Sequence, residues 1–260
     1  MFRSLGYATD LALLRHGGSV VTRHDDYWVV TSPHNPTHYW GNVVLFDDVP
    51  TSIERAEQCF HQHFPEAQHV ALGVDTTQAT VRDLEDFAQA GFDVSGGVVL
   101  VAPMVASVTP PLGVTIRALH SPDDWAQSIE LSMANREEQY EATGYRTYLE
   151  AKVVTQRHLC EQGHGAWWGA FVEQQLVSQM GIFDCGDGRA RFQTVMTHPD
   201  YRRRGLARAT LSATGHFAVE ALGARELVIV AEPDYVAIDL YRSLGFVARE
   251  TQLQMQRIPG

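Results

Sequence analysis

One segment of the chain combines residue types that could bind a phosphate group. Arg202, Arg203, Arg204 and Gly205 stand directly before an amphipathic stretch that is predicted to be a helix from Leu206. The first amides of a helix have no intrahelical acceptors and carry the positive end of the helix dipole. Glycine lets an anion approach the main chain, and arginines add charge. The pattern therefore predicts a phosphate-binding loop, with a solvated basic turn as the alternative.

The second half of the chain supplies the elements that would position this loop. Ser121 and Pro122 begin a predicted helix that runs to about Asn135, because serine caps helix amides and proline suits the first helical position. An antiparallel meander leads into the loop, and two strands around a short helix follow it. The predicted strands lie at 113–119, 166–173, 176–184, 189–199, 226–232 and 248–257.

The first half has the pattern of a mixed α/β domain. Pro110 and Pro111 stand between two β-rich runs and are typical of a linker. We therefore predict one domain over residues 1–108 and a second over 109–260. In the first domain, strands are predicted at 20–32, 41–46, 69–74 and 96–102, and helices at 51–64 and 80–91.

Two motifs together resemble a known family. Residues 202–207 fit the pattern Q/R-x-x-G-x-G/A, and residues 237–246 fit A-x-x-L-Y-x-x-L-G-F after a buried strand. The sequence resembles the GNAT superfamily of acyl-CoA-dependent N-acyltransferases over about residues 112–257. The resemblance implies an α/β (α+β) fold with a mixed, mostly antiparallel GNAT-type sheet flanked by helices.

The resemblance also implies a binding site for acetyl-CoA. Two strands, about 191–198 and 226–232, would splay apart around the pantetheine arm, and amides of the loop would hold the pyrophosphate. Asp234 stands where many members have asparagine. The implied cofactor-binding residues are Val195, Thr197, Arg202, Arg203, Arg204, Gly205, Leu206, Ala207 and Asp234.

Tyr241 matches the family's usual general acid. A departing thiolate, with a thiol pKa of about 8.5, benefits from a hydroxyl that donates a proton, although a tyrosine here could also only pack in its helix. Some members carry a glutamate base where this chain has Arg191. Glu232 is our first candidate for the base and Asp184 the second, and each could instead be a surface carboxylate.

The acceptor-binding wall of the family follows the first helix of the domain. The residues that we assign to substrate binding on this basis are Asn135, Arg136, Tyr140 and Arg191, with Met133 and Glu137 nearby. A solvated helix end is the alternative. We expect the acceptor to be a small-molecule or peptide amine, and no sequence motif identifies which amine it is.

Part of the first half resembles part of the second in its order of elements. Residues 69–102 repeat the order strand, helix, Gly-Phe and strand, which aligns Gly91 with Gly245 and places Phe87 where Tyr241 stands. Residues 46–60 have no glycine or arginine cluster at their helix start. We therefore interpret the first half as a degenerate GNAT-like domain that does not bind acyl-CoA, with coincidence between two ordinary strand–helix–strand units as the alternative.

Composition excludes several classes of protein. The formal charge of −11 disfavours a general nucleic-acid binder. No run of 18 apolar residues and no leader pattern is present, so we predict a cytoplasmic protein without a membrane partner. An oligomer is possible, but the sequence does not indicate the oligomeric state. Three cysteines at wide spacings form no CxxC pair.

The histidines do not form a recognisable metal motif. His61 and His63, two apart on a helix, diverge by about 200° and cannot share an ion without another element. His34 and His38 lie in a loop without a metal-binding frame. We therefore predict no metal.

These observations favour an N-acetyltransferase that moves an acetyl group from acetyl-CoA to a primary amine by direct attack. A non-catalytic acyl-CoA-binding or regulatory module is the main alternative, and it would keep Arg202, Gly205 and Ala207 without using Tyr241. A nucleic-acid-associated protein that uses the arginine run is a third possibility, which the acidic balance disfavours.

Overall fold

The computed structural model describes residues 2–33, 35, 39–138, 140–233 and 237–258. It consists of two compact units. The first contains Met1–Leu100, Val230–Ile238 and Ala248–Gly260, and the second contains Val101–Ile229 and Asp239–Val247. A compact unit need not coincide with a domain that folds independently, so the predicted boundary between residues 108 and 109 stays a prediction.

The first unit is built from one sheet region and three helices. Its strands follow the order β1-β2-β3-β4-β11-β5, in which β3 and β4 are parallel and the other described pairs are antiparallel. The elements are α1 (Leu5–His16), β1 (Val20–Arg23), β2 (Tyr27–Thr31), β3 (Val43–Phe46), α2 (Ile53–His63), β4 (Val70–Val74), α3 (Glu85–Gln89), β5 (Asp93–Ala102) and β11 (Val247–Arg257).

The second unit orders its strands as β10-β9-β8-β7-β6, with β9 and β10 parallel and the rest antiparallel. The mixed, mostly antiparallel α/β class is therefore confirmed. The elements are β6 (Val114–Ala118), α4 (Pro122–Ala134), α5 (Ala142–Glu161), β7 (Gly165–Val172), β8 (Gln175–Asp184), β9 (Arg189–Thr197), α6 (Leu206–Ala221), β10 (Glu226–Ala231) and α7 (Ala237–Ser243), of which the last two extend into the residues of the first unit.

The predicted helices of both halves are present, and so are the predicted strands, except that residues 20–32 form two antiparallel strands, β1 and β2, instead of one. Helices α1 and α5 were missed. Helix α5 is rich in threonine, valine and tyrosine, which have modest helix propensity, and Glu141 is its unusual N-cap. It packs against α4 and β7, so tertiary contacts stabilise a segment with a weak local signal.

The last strand of the chain belongs to the first unit. Leu253 pairs with Val74 of β4, and its side chain is fully buried in the core of that unit. The hydroxyl of Tyr7 on α1 donates to the carbonyl of Leu253 at 2.5 Å, and the Gln252 amide donates to Asp10 at 2.6 Å. Strand β11 therefore completes a unit whose other elements come from the N-terminal part of the chain.

No helix in the described part of the chain is long and apolar enough to cross a membrane.

Because Leu253 lies in the core of the first unit, Leu253→Ala should lower the free energy of unfolding by about 2–5 kcal/mol. Hydrogen exchange should accelerate in β3 and β4, at the opposite end of the sequence. Val247→Ala, at the exposed start of the same strand, should change stability by less than about 0.5 kcal/mol. Unchanged exchange in β4 after Leu253→Ala would contradict this role of β11.

Candidate functional site

The turn before α6 exposes a row of main-chain donors. Gly205 is the N-cap of α6 and adopts φ 76°, and Arg203 is also left-handed, with φ 61°. No side chain caps this helix. Within the described residues, the N–H groups of 203–207 have no hydrogen-bond acceptor. The turn can therefore present several amides and the positive dipole end to one anion.

The arginines of this turn make different contacts. Arg202 donates from Nη2 to Oδ1 of Asn135 at 2.7 Å and from Nε to the carbonyl of Thr197 at 3.4 Å. Arg204 donates to the carbonyl of Asp200 and lies over the ring of Tyr201, 4.8 Å from its centroid. All three arginines are exposed, so their charge is available to an anion at the turn.

Strand β9 separates from β10 on the side that leads to this turn. The two strands pair only over Arg189–Arg191 and Glu226–Val228, whereas β9 continues to Thr197. Thr194 has φ 50°, and the register with β8 shifts at this point, which marks a β-bulge. The main chain of β9 beyond residue 191 is therefore unpaired toward β10.

A buried polar network holds β8 beside the bulge. Oε1 of Gln179 accepts from the Ser128 hydroxyl at 2.5 Å and from the Trp167 indole at 3.1 Å. Its amide donates to Ser132 at 3.1 Å. Because every member of this network has a partner, the network fixes α4 and β7 against the strand that borders the bulge.

Helix α4 is fixed at its start as well. Ser121 and Asp124 form a capping box, and the buried carboxylate of Asp124 accepts two 2.7 Å hydrogen bonds from Arg117. This pairing, together with backbone N–H groups of residues 120 and 121, holds the pKa of Asp124 well below its usual range.

Tyr241 lies on α7 and is 3 % exposed. Its ring meets Phe246 edge-on at 6.3 Å, and Phe246 in turn meets Phe192 of β9 at 6.0 Å. Gly245 ends the helix with φ 104°, so that the N–H of Phe246 donates back to the carbonyl of Tyr241.

A family model describes the segment that contains these elements. Residues 125–246 match the acetyltransferase (GNAT) family. This segment is thus similar to the GNAT family.

Solved structures share the fold over most of the chain. A GCN5-related N-acetyltransferase from Kribbella flavida has a TM-score of 0.67 at 16% identity, covering 99% of this chain and 98% of its own. A functionally unknown conserved protein from Staphylococcus epidermidis ATCC 12228 has a TM-score of 0.70 at 15% identity, with 91% and 92% covered. A tandem GNAT protein from the clavulanic acid biosynthesis pathway has a TM-score of 0.58 at 15% identity, with 96% and 87% covered.

Comparison with curated protein sequences gave no match. The family and the fold support an acyl-CoA-dependent N-acetyltransferase in general terms, and the first half of the chain has a GNAT-like fold.

The first unit repeats the local geometry around Tyr241 without its hydroxyl. The N–H of Phe92 donates to the carbonyl of Phe87 at 3.0 Å, Gly91 has φ 87°, and the two phenylalanine rings meet edge-on at 5.4 Å. These contacts match those of Phe246, Gly245 and Tyr241. The GNAT-like scaffold of the first unit therefore carries phenylalanine where the second unit has the tyrosine that we predict to be the proton donor.

The helix start of the first unit also lacks the features of a phosphate site. The Ser52 hydroxyl caps α2 by accepting from the N–H of Arg55 at 3.2 Å, and it donates to Glu54 at 2.9 Å. A cavity of about 860 Å³ lies beside this turn and is lined by four carboxylates and no lysine or arginine. The carboxylates belong to Asp48, Glu54, Asp83 and Asp86. Their charge would repel a pyrophosphate.

The predicted base candidates lie in different surroundings. Asp184 accepts from the N–H of Gly186 at 3.0 Å and pairs in register with Ala190. Thr197 lies seven positions after Ala190 on β9, which corresponds to about 23 Å at the usual rise of a strand. Asp184 is thus a hairpin carboxylate at the far end of β9. Glu232 is exposed directly after β10.

The residues assigned to substrate binding do not form one cluster of contacts. Asn135 accepts from Arg202 of the turn before α6, and Arg136 donates to the carbonyl of Tyr140. Tyr140 is 49 % exposed and stacks on Tyr145 at 5.6 Å. Arg191 is buried on β9 at the last position that pairs with β10.

Other predicted features lie outside the described residues or have no metal-binding partners. Asp234, His34 and His38 lie outside the described residues. Within the described ranges, no group of three histidine, cysteine, aspartate or glutamate side chains could hold a metal ion.

Sequence reasoning missed the bulge at Thr194 and the bond between Asn135 and Arg202. A left-handed threonine has no sequence signature, because glycine or asparagine normally marks that conformation. The two partners of the bond are 67 positions apart, so no local pattern could reveal it.

Gly205→Val should abolish acetyl-CoA binding, because the new side chain would stand among the exposed amides of the turn. Gly223→Val is the matched control, since Gly223 flanks the other end of α6 with φ 68°. Both changes place valine at positive φ and should cost about 1–3 kcal/mol of stability. Only Gly205→Val should change the dissociation constant in calorimetry. If a folded Gly205→Val protein binds acetyl-CoA as tightly as the wild type does, the predicted phosphate site is wrong.

Proposed function

We propose that this protein transfers an acetyl group from acetyl-CoA to the primary amine of a small molecule or peptide by direct attack. The observation that carries the proposal is the uncapped, glycine-started helix α6, with its exposed arginines, at the end of a strand that has separated from its neighbour. The match of residues 125–246 to the acetyltransferase (GNAT) family supports the same activity.

The chain offers groups that fit each part of the donor. The N–H groups of residues 203–207 and the guanidinium of Arg202 suit the pyrophosphate. The unpaired main chain of β9, including Val195 and Thr197, suits the amide groups of the pantetheine arm in the manner of an added strand. When bound, acetyl-CoA supplies a thioester whose carbonyl carbon the amine can attack.

Tyr241 would act on the departing sulfur. The new C–N bond forms as the C–S bond breaks, and the electron pair of that bond goes to sulfur. The hydroxyl of Tyr241 donates its proton to this thiolate, which leaves as coenzyme A. Phe192 and Phe246 hold the tyrosine ring in place and keep its surroundings apolar.

The attacking amine must also lose a proton. Arg191 cannot accept one, because a guanidinium stays protonated. Glu232, exposed after β10, is therefore the carboxylate that we assign as base, acting directly or through a water. A non-catalytic acyl-CoA-binding module is the second candidate, and the deep burial of Tyr241 favours it, since a packed tyrosine need not reach a substrate.

Tyr241→Phe separates the two candidates. It should leave the acetyl-CoA dissociation constant unchanged and lower kcat by about 10²-fold, the scale of a lost general acid. Turnover is measured as free thiol released with the best acceptor from a panel of amines, amino acids, antibiotics and peptides.

Tyr7→Phe is the control for the tyrosine experiment, because it removes the hydroxyl of another buried tyrosine, which donates to the carbonyl of Leu253 and is not proposed to contact the donor. It should lower stability by about 0.5–1.5 kcal/mol and leave kcat unchanged. Full turnover of Tyr241→Phe would show that Tyr241 is not the acid. No turnover of the wild type with any acceptor would favour the binding module.

Calorimetric titration of the intact chain should give one acetyl-CoA per chain. The first unit lacks a second site because Ser52 caps its helix and carboxylates line the adjacent cavity. Gly205→Val should then reduce the number of bound acetyl-CoA molecules per chain from one to zero. A fall from two to one would indicate a second site. Two bound molecules per wild-type chain would show that the first unit has kept a cofactor site.

A further inference from the structure

Arg202 contacts a residue that is distant in the sequence, whereas Arg204 of the same turn contacts only near neighbours in the described part of the chain. Its Nη2 group donates to Asn135, a side chain on the distant helix α4, and its Nε group donates to the carbonyl of Thr197 at the end of β9. Arg204 instead contacts Asp200 and Tyr201, both within three or four residues of itself. Within the described residues, only Arg202 among the three is thus held by a side chain of another helix.

The orientation of the Asn135 amide is fixed by its second contact. Nδ2 of Asn135 donates to the carbonyl of Leu131 in the last turn of α4 at 2.9 Å. The side-chain oxygen must therefore be the atom that faces Arg202, where it accepts at 2.7 Å. Since the capping box and the Arg117–Asp124 pair fix the other end of α4, this oxygen is a rigid acceptor.

A guanidinium that is already oriented binds an anion more tightly than a mobile one. An exposed arginine otherwise loses side-chain entropy when it is immobilised by a ligand. The contacts to Asn135 and Thr197 use Nη2 and Nε, and they leave the Nη1 donors for a phosphate oxygen.

We propose that Asn135 is a positioning residue for the acyl donor, which orients Arg202 toward a phosphate group of acetyl-CoA. This inference rests on the proposed function. It changes the role expected of Asn135, because the residue acts on the donor through Arg202 and does not contact the acceptor amine.

A double-mutant cycle tests the proposal. Acetyl-CoA is titrated by calorimetry into the wild type, Asn135→Ala, Arg202→Ala and the double variant. Arg202→Ala should weaken binding about 10- to 100-fold, and Asn135→Ala about fivefold. Because Asn135 acts through Arg202, the double variant should bind no more weakly than Arg202→Ala alone.

Thermal unfolding separates positioning from a loss of helix capping. Asn135→Ala also removes the bond to Leu131, so it should lower the unfolding temperature both with and without Arg202. The effect on affinity should vanish without Arg202. Gln162→Ala, at the C-cap of α5, is the matched control and should leave acetyl-CoA affinity unchanged.

Steady-state kinetics provide the second readout. With an amine found in the acceptor panel, Asn135→Ala should raise the KM for acetyl-CoA about fivefold and leave kcat and the KM for the amine unchanged. If only the KM for the amine rises, Asn135 binds the acceptor, as predicted from the sequence, and the proposal is wrong.

The possible failures are distinguishable. If the wild type does not bind acetyl-CoA, the proposed function itself is wrong. If the wild type binds and Asn135→Ala binds equally well, the positioning role is wrong and the proposed function stands. Affinity losses that multiply in the double variant would also refute action through Arg202.

Discussion

The proposed chemistry of this protein depends on helix α6, whose first amides have no side-chain cap. Most helices satisfy their first amides with a serine, threonine or aspartate side chain, as Ser52 does for α2. At α6 a left-handed glycine occupies that place, and the donors remain exposed. The nearby arginines add positive charge to the same turn. An anion is the partner that best satisfies such a group of donors.

The two halves share one local geometry and differ at the positions where we predict a ligand site. Both contain a short helix that ends at a left-handed glycine followed by a phenylalanine, with the same hydrogen bond closing the turn. They differ in a single hydroxyl at Phe87 and Tyr241, and in the cap and charge of the preceding helix start. Burial and main-chain hydrogen bonds maintain the scaffold in each half, whereas these exposed or reactive groups decide its chemistry.

Strand β11, near the end of the chain, is part of the first unit. Its buried Leu253 and Met255 lie in the core of that unit, and its carbonyl and amide groups bond α1 and pair with β4. The part of the sequence that carries the GNAT motifs is therefore followed directly by a strand on which the N-terminal unit depends for its stability.

The sequence by itself determined the class of fold, most elements and the motifs from which the candidate site is predicted. Periodicity marked the strands and α6, capping residues marked α4, and two motifs with fixed local spacing marked the turn at Gly205 and the helix of Tyr241. Such features are local, because helix caps, turns and apolar alternation depend on residues a few positions apart.

Only the tertiary structure decided what depends on distant residues. It showed helix α5, which packing stabilises against modest propensity, and the bulge at Thr194, for which threonine gives no signal. It also placed β11 in the first unit, removed Asp184 from the phosphate-loop end of β9, and joined Asn135 to Arg202. Each of these is a contact or a separation between elements far apart in sequence, and no pattern within one element encodes it.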